Sequence, residues 1–335
     1  MTDVLERARA LGEFSGAAWA YGRSRGPVTR GRLGTLAWDG DPVTESTLWD
    51  LASVTKPIAG LAVMSLVESG ELTLDDPVAL HLPEYAGTDK AGISVYELLT
   101  HTSRIPGQQP LYRDHPTRDE LLGAVTRLSL RPSPGVEYSS QGFMILGLIA
   151  ERAARLPLDR LVRERVTAPA GMGETRFLLP EPEWRRAAAT EDCPWRGRLV
   201  QGTVHDENAE VMGGVAGHAG LFGTLDDLAR LGRALCSGGG GVLGARTLEV
   251  MTRTRTGGRA LAWAGWEQHG CSGGDLLSPA AYGHTGFTGT SLWVDPELDV
   301  FVVLLTNRVH PTRNSAAIGR IRRAFHNVAV TEALS

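Results

Sequence analysis

Ser53 and Lys56 stand three positions apart in Ser53-Val54-Thr55-Lys56, so on a helix both side chains leave one face and the amine can take the hydroxyl proton. That pairing is the minimum for nucleophilic catalysis by serine, a weak nucleophile until an adjacent base activates it. The N–H groups of a helix's first turn add a place for negative charge on a reacting carbonyl oxygen. A second candidate is Tyr138 in Tyr138-Ser139-Ser140, between the turn-forming RPSPGVE and an apolar helix pattern, where a tyrosine can pass a proton into a cleft. A third is His284-Thr285-Gly286 in YGHTGFTGTSLWVDP, just before or on an edge strand, whose glycines let backbone come close to a ligand. Singly, each has a plain structural reading: a helix cap beside a solvated lysine, a packing tyrosine, a turn.

Composition sharpens the first candidate. Of 34 basic residues only Lys56 and Lys90 are lysines. Arginine cannot give up its proton in a protein, whereas a lysine that is desolvated or set beside another cation can, so each lysine asks for a reason and Lys56 is a candidate base. The chain has 335 residues, a net charge of -4, 42% hydrophobic and 21% charged residues, the profile of a globular protein with room for two lobes. No Lys/Arg cluster offers the concentrated charge that nucleic acid requires, so a small-molecule or peptide-like partner is expected. The first thirty residues carry acids and arginines where a signal segment needs an apolar core, and no apolar run approaches eighteen residues; a cytoplasmic protein without a membrane partner is the expectation. Cys193, Cys236 and Cys271 are too scattered for a disulfide framework or a zinc site, and are read as free thiols.

The elements that must position these residues follow from pattern. Gly16 to Tyr21 and Val28 to Leu36 read as a hairpin, and Thr47 to Ala52 as a strand. A buried helix is expected from about Ser53 to the glycine stop at Gly70. Helices follow at Val95–His101, Arg118–Leu130 and, as one long run, Gly142–Arg165, then at Leu225–Cys236, Ala245–Thr252 and about Asn314–His326. Leu261–Gln268, Thr288–Val294 and Asp299–Leu305 have strand-like content. Strands at both ends with helices between predict an α+β fold: a mixed, mostly antiparallel sheet flanked by helices, built from residues 1–78 and 225–335, with an inserted all-helical lobe at 79–224 and the site in the groove between them.

In this order and at these separations the three motifs resemble those of the serine β-lactamase and penicillin-binding-protein superfamily, in its class C β-lactamase-related branch of esterases, D-aminopeptidases, DD-peptidases and acyltransferases. Connecting phrases extend the resemblance over essentially the whole chain: LTLDDPVALHLPEY, ELLTHTSRIPG, APAGMGETRF, GGVAGHAGLFGTLDDLARL and LLTNRVHP. The resemblance implies that Ser53 is the acylated nucleophile, Lys56 its activating base and Tyr138 the group that passes the proton to the leaving group. It implies an oxyanion hole made of the backbone N–H groups of Ser53 and Phe287, and substrate contacts from Ser140, His284, Thr285 and Gly286. Two positions depart from the family pattern. Ser140 stands where asparagine is usual and has one hydroxyl in place of an amide, with Gln141 a conceivable substitute. His284 stands where β-lactamases keep lysine, a weaker and switchable anchor for a substrate carboxylate. Both departures, and the expected location, argue against a dedicated β-lactamase.

His205, Asp206, Glu207, Asn208 and His218 form a tempting metal cluster, but neighbours at i, i+1 and i+2 do not share a helix face, so no metal is expected. A loop along the cleft wall is the preferred reading, with Asn208 or His205 touching substrate. Trp263, Trp266 and Trp293 are read as core. The function expected is hydrolysis of an ester or amide of a small, hydrophobic or peptide-like substrate through a Ser53 acyl-enzyme, esterase before peptidase, with no cofactor. The alternatives are an acyltransferase of specialised metabolism and a non-catalytic penicillin-binding-like sensor module.

Overall fold

A computed structural model describes residues 2–335. Its strands are β1 (Gly16–Gly22), β2 (Val28–Gly34), β3 (Trp49–Asp50), β4 (Asp192–Cys193), β5 (Arg198–Leu199), β6 (Phe222–Gly223), β7 (Ala264–Gly265), β8 (Tyr282–Thr285), β9 (Ser291–Asp295) and β10 (Val300–Thr306). Its helices are α1 (Thr2–Ala10), α2 (Thr55–Glu68), α3 (Val78–His81), α4 (Val95–Leu99), α5 (Arg118–Arg127), α6 (Ser140–Ala154), α7 (Leu158–Val162), α8 (Glu207–Val211), α9 (Leu225–Cys236), α10 (Ala245–Thr252) and α11 (Ile318–Leu334).

The main sheet runs β2-β1-β10-β9-β8-β7, and every pairing in it is antiparallel. β1 and β10 are buried along their whole length, because both sheet faces are covered. Period-two alternation sorts their side chains. Trp19, Tyr21, Val302 and Leu304 face a core shared with Leu5 of α1 and Phe325 of α11. Ala18, Ala20, Phe301 and Val303 face the larger core, which holds Leu228, Leu231 and Leu235 of α9 and the apolar residues of α2. Ile58, Leu61, Val63 and Leu66 of α2 are essentially inaccessible, worth about 1.5–3 kcal/mol each in burial. A helix apolar on all sides belongs inside, and α2 carries the residues at its start into the middle of the molecule.

Several elements differ from expectation. The run Gly142–Arg165 is broken: α6 stops where Arg155 takes a left-handed φ of 52°, Pro157 precedes α7, and a π turn covers Arg163–Thr167. Of Thr47–Ala52 only β3 joins a ladder, with β6, and of Leu261–Gln268 only β7. β8 is therefore not the edge strand; β7 covers it. Residues 79–224 are not purely helical, since β4 and β5 form a small hairpin there and β6 pairs with β3. Two-residue ladders leave no periodicity to read. Trp263 and Trp293 are buried core and Trp266 packs at its margin. Cys193, Cys236 and Cys271 are free. No described helix is long and apolar enough to cross a membrane.

Candidate active site

Ser53 lies in a single 3-10 turn, Ala52–Val54, that runs into α2. Ala52 adopts φ +46°, a left-handed conformation unfavourable for a side chain with Cβ, so the turn must be held from outside. Asp50 does this with one carboxylate oxygen on the N–H of Ala52 at 2.8 Å, while its other oxygen accepts the N–H of His205 at 2.7 Å. Leu221 completes the hold: its carbonyl accepts from Leu51 N–H and its N–H donates to Thr55 Oγ1. Burial pushes the Asp50 carboxyl above its ordinary range, against the pull of these two N–H groups.

Lys56 is wholly buried, and its Nζ has three oxygen neighbours: Ser53 Oγ at 3.1 Å, Ser140 Oγ at 3.4 Å and the carbonyl of His218 at 3.1 Å. The pairing predicted from spacing is therefore present, at proton-transfer distance. Ser140 opens α6, and Ser139 caps that helix with its hydroxyl on Gly142 N–H, which turns Ser140 toward Lys56. Tyr138 offers Lys56 its ring face, with Nζ 4.8 Å from the ring centroid, and its hydroxyl makes no hydrogen bond to a described residue. His101 holds Tyr138 on both sides: its carbonyl accepts Glu137 N–H, its Nδ1 accepts Ser139 N–H, and its ring lies 4.7 Å from the tyrosine ring.

The loop after β8 approaches the Ser53 turn closely. A Cβ at Gly286 would lie 2.5 Å from the carbonyl oxygen of Leu51, so only glycine fits there. Thr288 and Thr290 donate their hydroxyls to the carbonyls of Asp50 and Leu51, at 2.7 and 3.0 Å. Among the described residues, neither the Ser53 N–H nor the Phe287 N–H has a protein acceptor. The carbonyl of the same peptide that carries the Phe287 N–H, that of Gly286, takes Arg322 Nη2 at 2.5 Å. In a trans peptide the N–H points the opposite way. Two free donors thus flank Ser53, the arrangement that stabilises a tetrahedral oxyanion.

Ser53 sits where two arms of a cleft meet. One arm, about 310 Å³, is lined by Tyr138, His284, Thr285, Phe287 and three arginines, Arg259, Arg308 and Arg322. Sequence reasoning missed these arginines, because so arginine-rich a chain gives no one of them prominence. Among the described residues none of the three is ion-paired to a carboxylate, although Glu267 lies in electrostatic range of Arg259 and Glu191 of Arg308; Arg308 and Arg322 bond only to carbonyls, and Arg259 makes no side-chain hydrogen bond at all. Burial and the nearby Arg308 push Arg322 down to about 9. The other arm, about 280 Å³, is lined by Gln108, Gln109, Ser140, Asp206, Glu207 and Asn208, among others. Phe287, 46% exposed, stands between the arms, stacked on His205 and under Arg308.

Two expected contacts are corrected. His284 is not a switchable cation: burial, then Lys56 and Arg259, push it down to about 3, and its Nδ1 is engaged with the Thr285 carbonyl. With that ring neutral, the cations lining this arm are the three arginines. Asn208 lines the second arm, but its carboxamide is taken up by Tyr112 N–H and the Gln109 carbonyl, so it shapes the loop. Gln141, fully buried on the same Gln109 carbonyl, does not line the cleft. The histidines of the 205–218 segment are held in separate pairs, His205 with Glu191 and His218 with Asp206. Potential ligand atoms of Glu191, Cys193 and Glu207 do lie within 4.8 Å of one another, but the Arg313 guanidinium bonds both glutamates and supplies the cation. Burial alone would raise the Glu191 carboxyl; His205 and Arg313 outweigh it and hold it at about 2.

Fold and arrangement together define a protein of the β-lactamase/transpeptidase class, with a half-buried serine beside a buried lysine under an arginine-lined cleft. The chain belongs to the beta-lactamase family, whose family model matches residues 2–325. A relative in Escherichia coli K12, provisionally named D-alanyl-D-alanine carboxypeptidase, is 34% identical over 307 residues, covering 80% of this chain and 70% of the relative. The solved structure of EstCE1, described as a hydrolase with promiscuous acyltransferase activity, superposes with a TM-score of 0.79 at 22% identity, covering 99% of this chain and 97% of that one. A class C β-lactamase from Rhodobacter sphaeroides gives 0.78 at 20% identity, covering 100% and 99%. At such identities the structures establish the fold. The family is one of serine hydrolases.

Proposed function

We propose that the protein hydrolyses small, peptide-like esters and amides through an acyl-enzyme on Ser53, and that the half of the substrate that leaves carries a carboxylate. The observation that carries this reading is Ser53 Oγ 3.1 Å from the buried Lys56 amine, between two unpaired N–H groups. Lys56 takes the proton as Ser53 Oγ bonds to the carbonyl carbon, and the N–H groups of Ser53 and Phe287 receive the oxyanion. The carboxylate follows from three guanidiniums in one arm, none of them ion-paired among the described residues, of which Arg259 makes no side-chain hydrogen bond and so has donors to spare. The carboxypeptidase name of the relative points to the same chemistry. Ser140 in place of an amide-bearing side chain favours esters over amides as the faster substrates.

The test is a matched set: an N-acyl-D-alanyl-D-lactate ester, the corresponding D-alanyl-D-alanine amide, and each with its terminal carboxylate masked as a carboxamide. Masking is expected to raise KM by about 10- to 100-fold, the worth of hydrogen bonds to a charged group, and Arg259→Met to erase that difference. Equal turnover of masked and free forms would remove the carboxylate from the reading. Product partition with an added amine or alcohol separates hydrolysis from acyl transfer.

A further inference from the structure

A cavity of about 470 Å³, larger than either arm of the catalytic cleft and sharing no lining residue with them, lies between α7 with its π turn, the segment 172–177 and Leu221. That volume is within the range of about 300–1,000 Å³ that takes small molecules. Its floor is apolar, made by the buried side chains of Val162, Met172, Phe177 and Leu221. Two polar groups on its wall are unengaged. Thr167 is 2% exposed and its hydroxyl bonds to no described residue. Arg163 makes no side-chain hydrogen bond and comes only within 3.8 Å of Glu164. Both belong to the π turn, where Ala168 N–H reaches back five residues to the Arg163 carbonyl at 2.9 Å, a distortion frequent at functional sites. The other cations of the wall are paired, Arg160 with Glu164 and Arg176 with Glu174 and Glu183, and its one acid, Asp159, is exposed.

The same wall reaches the nucleophile through backbone. Leu221 accepts Leu51 N–H at 2.9 Å and donates to Thr55 Oγ1 at 3.3 Å, on either side of Ser53. Its neighbour Phe222 exchanges two backbone hydrogen bonds with Arg176 and pairs with Asp50 in the β3–β6 ladder. A molecule resting on Leu221 therefore presses on the residue that holds the Ser53 turn.

We infer that this cavity is a second binding site, for a small molecule with an apolar body and a terminal carboxylate, and that its occupancy bears on the Ser53 turn through Leu221. The body lies on the apolar floor. The carboxylate accepts from the Arg163 guanidinium and the Thr167 hydroxyl, hydrogen bonds strengthened by its charge. A ligand shifts a conformational equilibrium only by favouring one arrangement over another, and here the ligand's contact is with the very side chain whose backbone braces the turn. The link to activity rests on the Ser53 acyl-enzyme reading; the binding itself does not.

The probe is octanoate, titrated calorimetrically into the Ser53→Ala protein, with octylamine as the oppositely charged control. One octanoate per chain is expected, with Arg163→Met and Thr167→Val each weakening it by about tenfold or more, the worth of a hydrogen bond to a charged group. Ala168→Trp, which places a ring at the exposed edge of the cavity, is expected to abolish binding, and Arg259→Met, in the catalytic cleft, to leave it unchanged. Loss of binding in Arg259→Met would place octanoate in the catalytic cleft, equal binding of octylamine would remove the carboxylate, and no binding at all would remove the site; each overturns the inference. For the link, saturating octanoate is expected to change kcat of the wild-type protein on p-nitrophenyl acetate by about fivefold and to leave that of Arg163→Met unchanged. An unchanged kcat in wild-type protein with octanoate bound overturns the link. No turnover and no Ser53 adduct with that ester would overturn the acyl-enzyme reading and the link with it, while the titration still decides the site.

Discussion

At the scale of the residue, the chain's two lysines explain each other. Both are buried, and each finds three oxygen neighbours, the number an ammonium can donate to: Lys56 as above, and Lys90 on Asp89 and the carbonyls of Thr126 and Leu128. A planar guanidinium cannot converge on three such points, so these are places where arginine would not serve. The scarcity of lysine was legible in the sequence; which of the two does chemistry was set by the serine three positions before it. Lys56→Arg is expected to reduce kcat/KM by at least about 1,000-fold, since guanidinium cannot accept the proton. Lys90→Met is expected to lower the melting temperature, leaving two half-buried carbonyls without the lysine's hydrogen bonds at about 1 kcal/mol each, with kcat/KM unchanged. Kinetics and thermal melts on the two variants check both, and activity retained in Lys56→Arg would take Lys56 out of the base role. The change in state of His284, by contrast, was not legible: nothing local in His-Thr-Gly says that Lys56 and Arg259 will lie beside the ring.

At the scale of the element, the site is a junction between the turn before α2 and the loop between β8 and β9, stapled by Thr288 on Asp50 and Thr290 on Leu51. This staple sets the spacing of the Ser53 and Phe287 N–H groups, the donors proposed for the oxyanion. Thr288→Val, nearly isosteric, is expected to lower kcat and kcat/KM together by about tenfold with KM unmoved, the signature of an interaction felt in the transition state. Thr288→Ser keeps the hydroxyl and is expected to restore activity; a shift in KM alone would count against the staple. The long elements were readable because their patterns repeat: the hairpin β1–β2, helix α9 from Leu225 to Cys236 and helix α10 from Ala245 to Thr252 lie where periodicity puts them. Elements fixed by distant partners were not. α1 packs on α11 across the full length of the chain, and β7 exists only because β8 offers it an edge. The break between α6 and α7 was written in Arg155-Leu156-Pro157, but the apolar spacing on either side masked it.

At the scale of the molecule, burial of neutral imidazoles couples stability to pH. His284 and His326 are pushed down to about 3, and His101 and His310 are also lowered, burial being the first cause in each case. The unfolded chain binds protons on these groups below about pH 6.5 while the folded chain does not, so unfolding takes up protons and stability falls as pH drops from about 6.5 toward 3. Glu191, held at about 2 against an ordinary 4.5, acts in the same direction between those values. The melting temperature is expected to be flat between about pH 7 and 8 and to decline steadily below 6.5; a maximum near pH 5 would contradict the burial of these rings.

The central claim is that Ser53 is the nucleophile, and the most direct measurement is the mass of the intact protein after incubation with a p-nitrophenyl ester, a penicillin, a D-alanyl peptide ester and a serine-directed phosphonate. The account predicts one covalent adduct per chain with at least the activated ester and the phosphonate, absent in Ser53→Ala, and turnover of the peptide ester. An adduct that persists in Ser53→Ala, or none with any of the four, would contradict it.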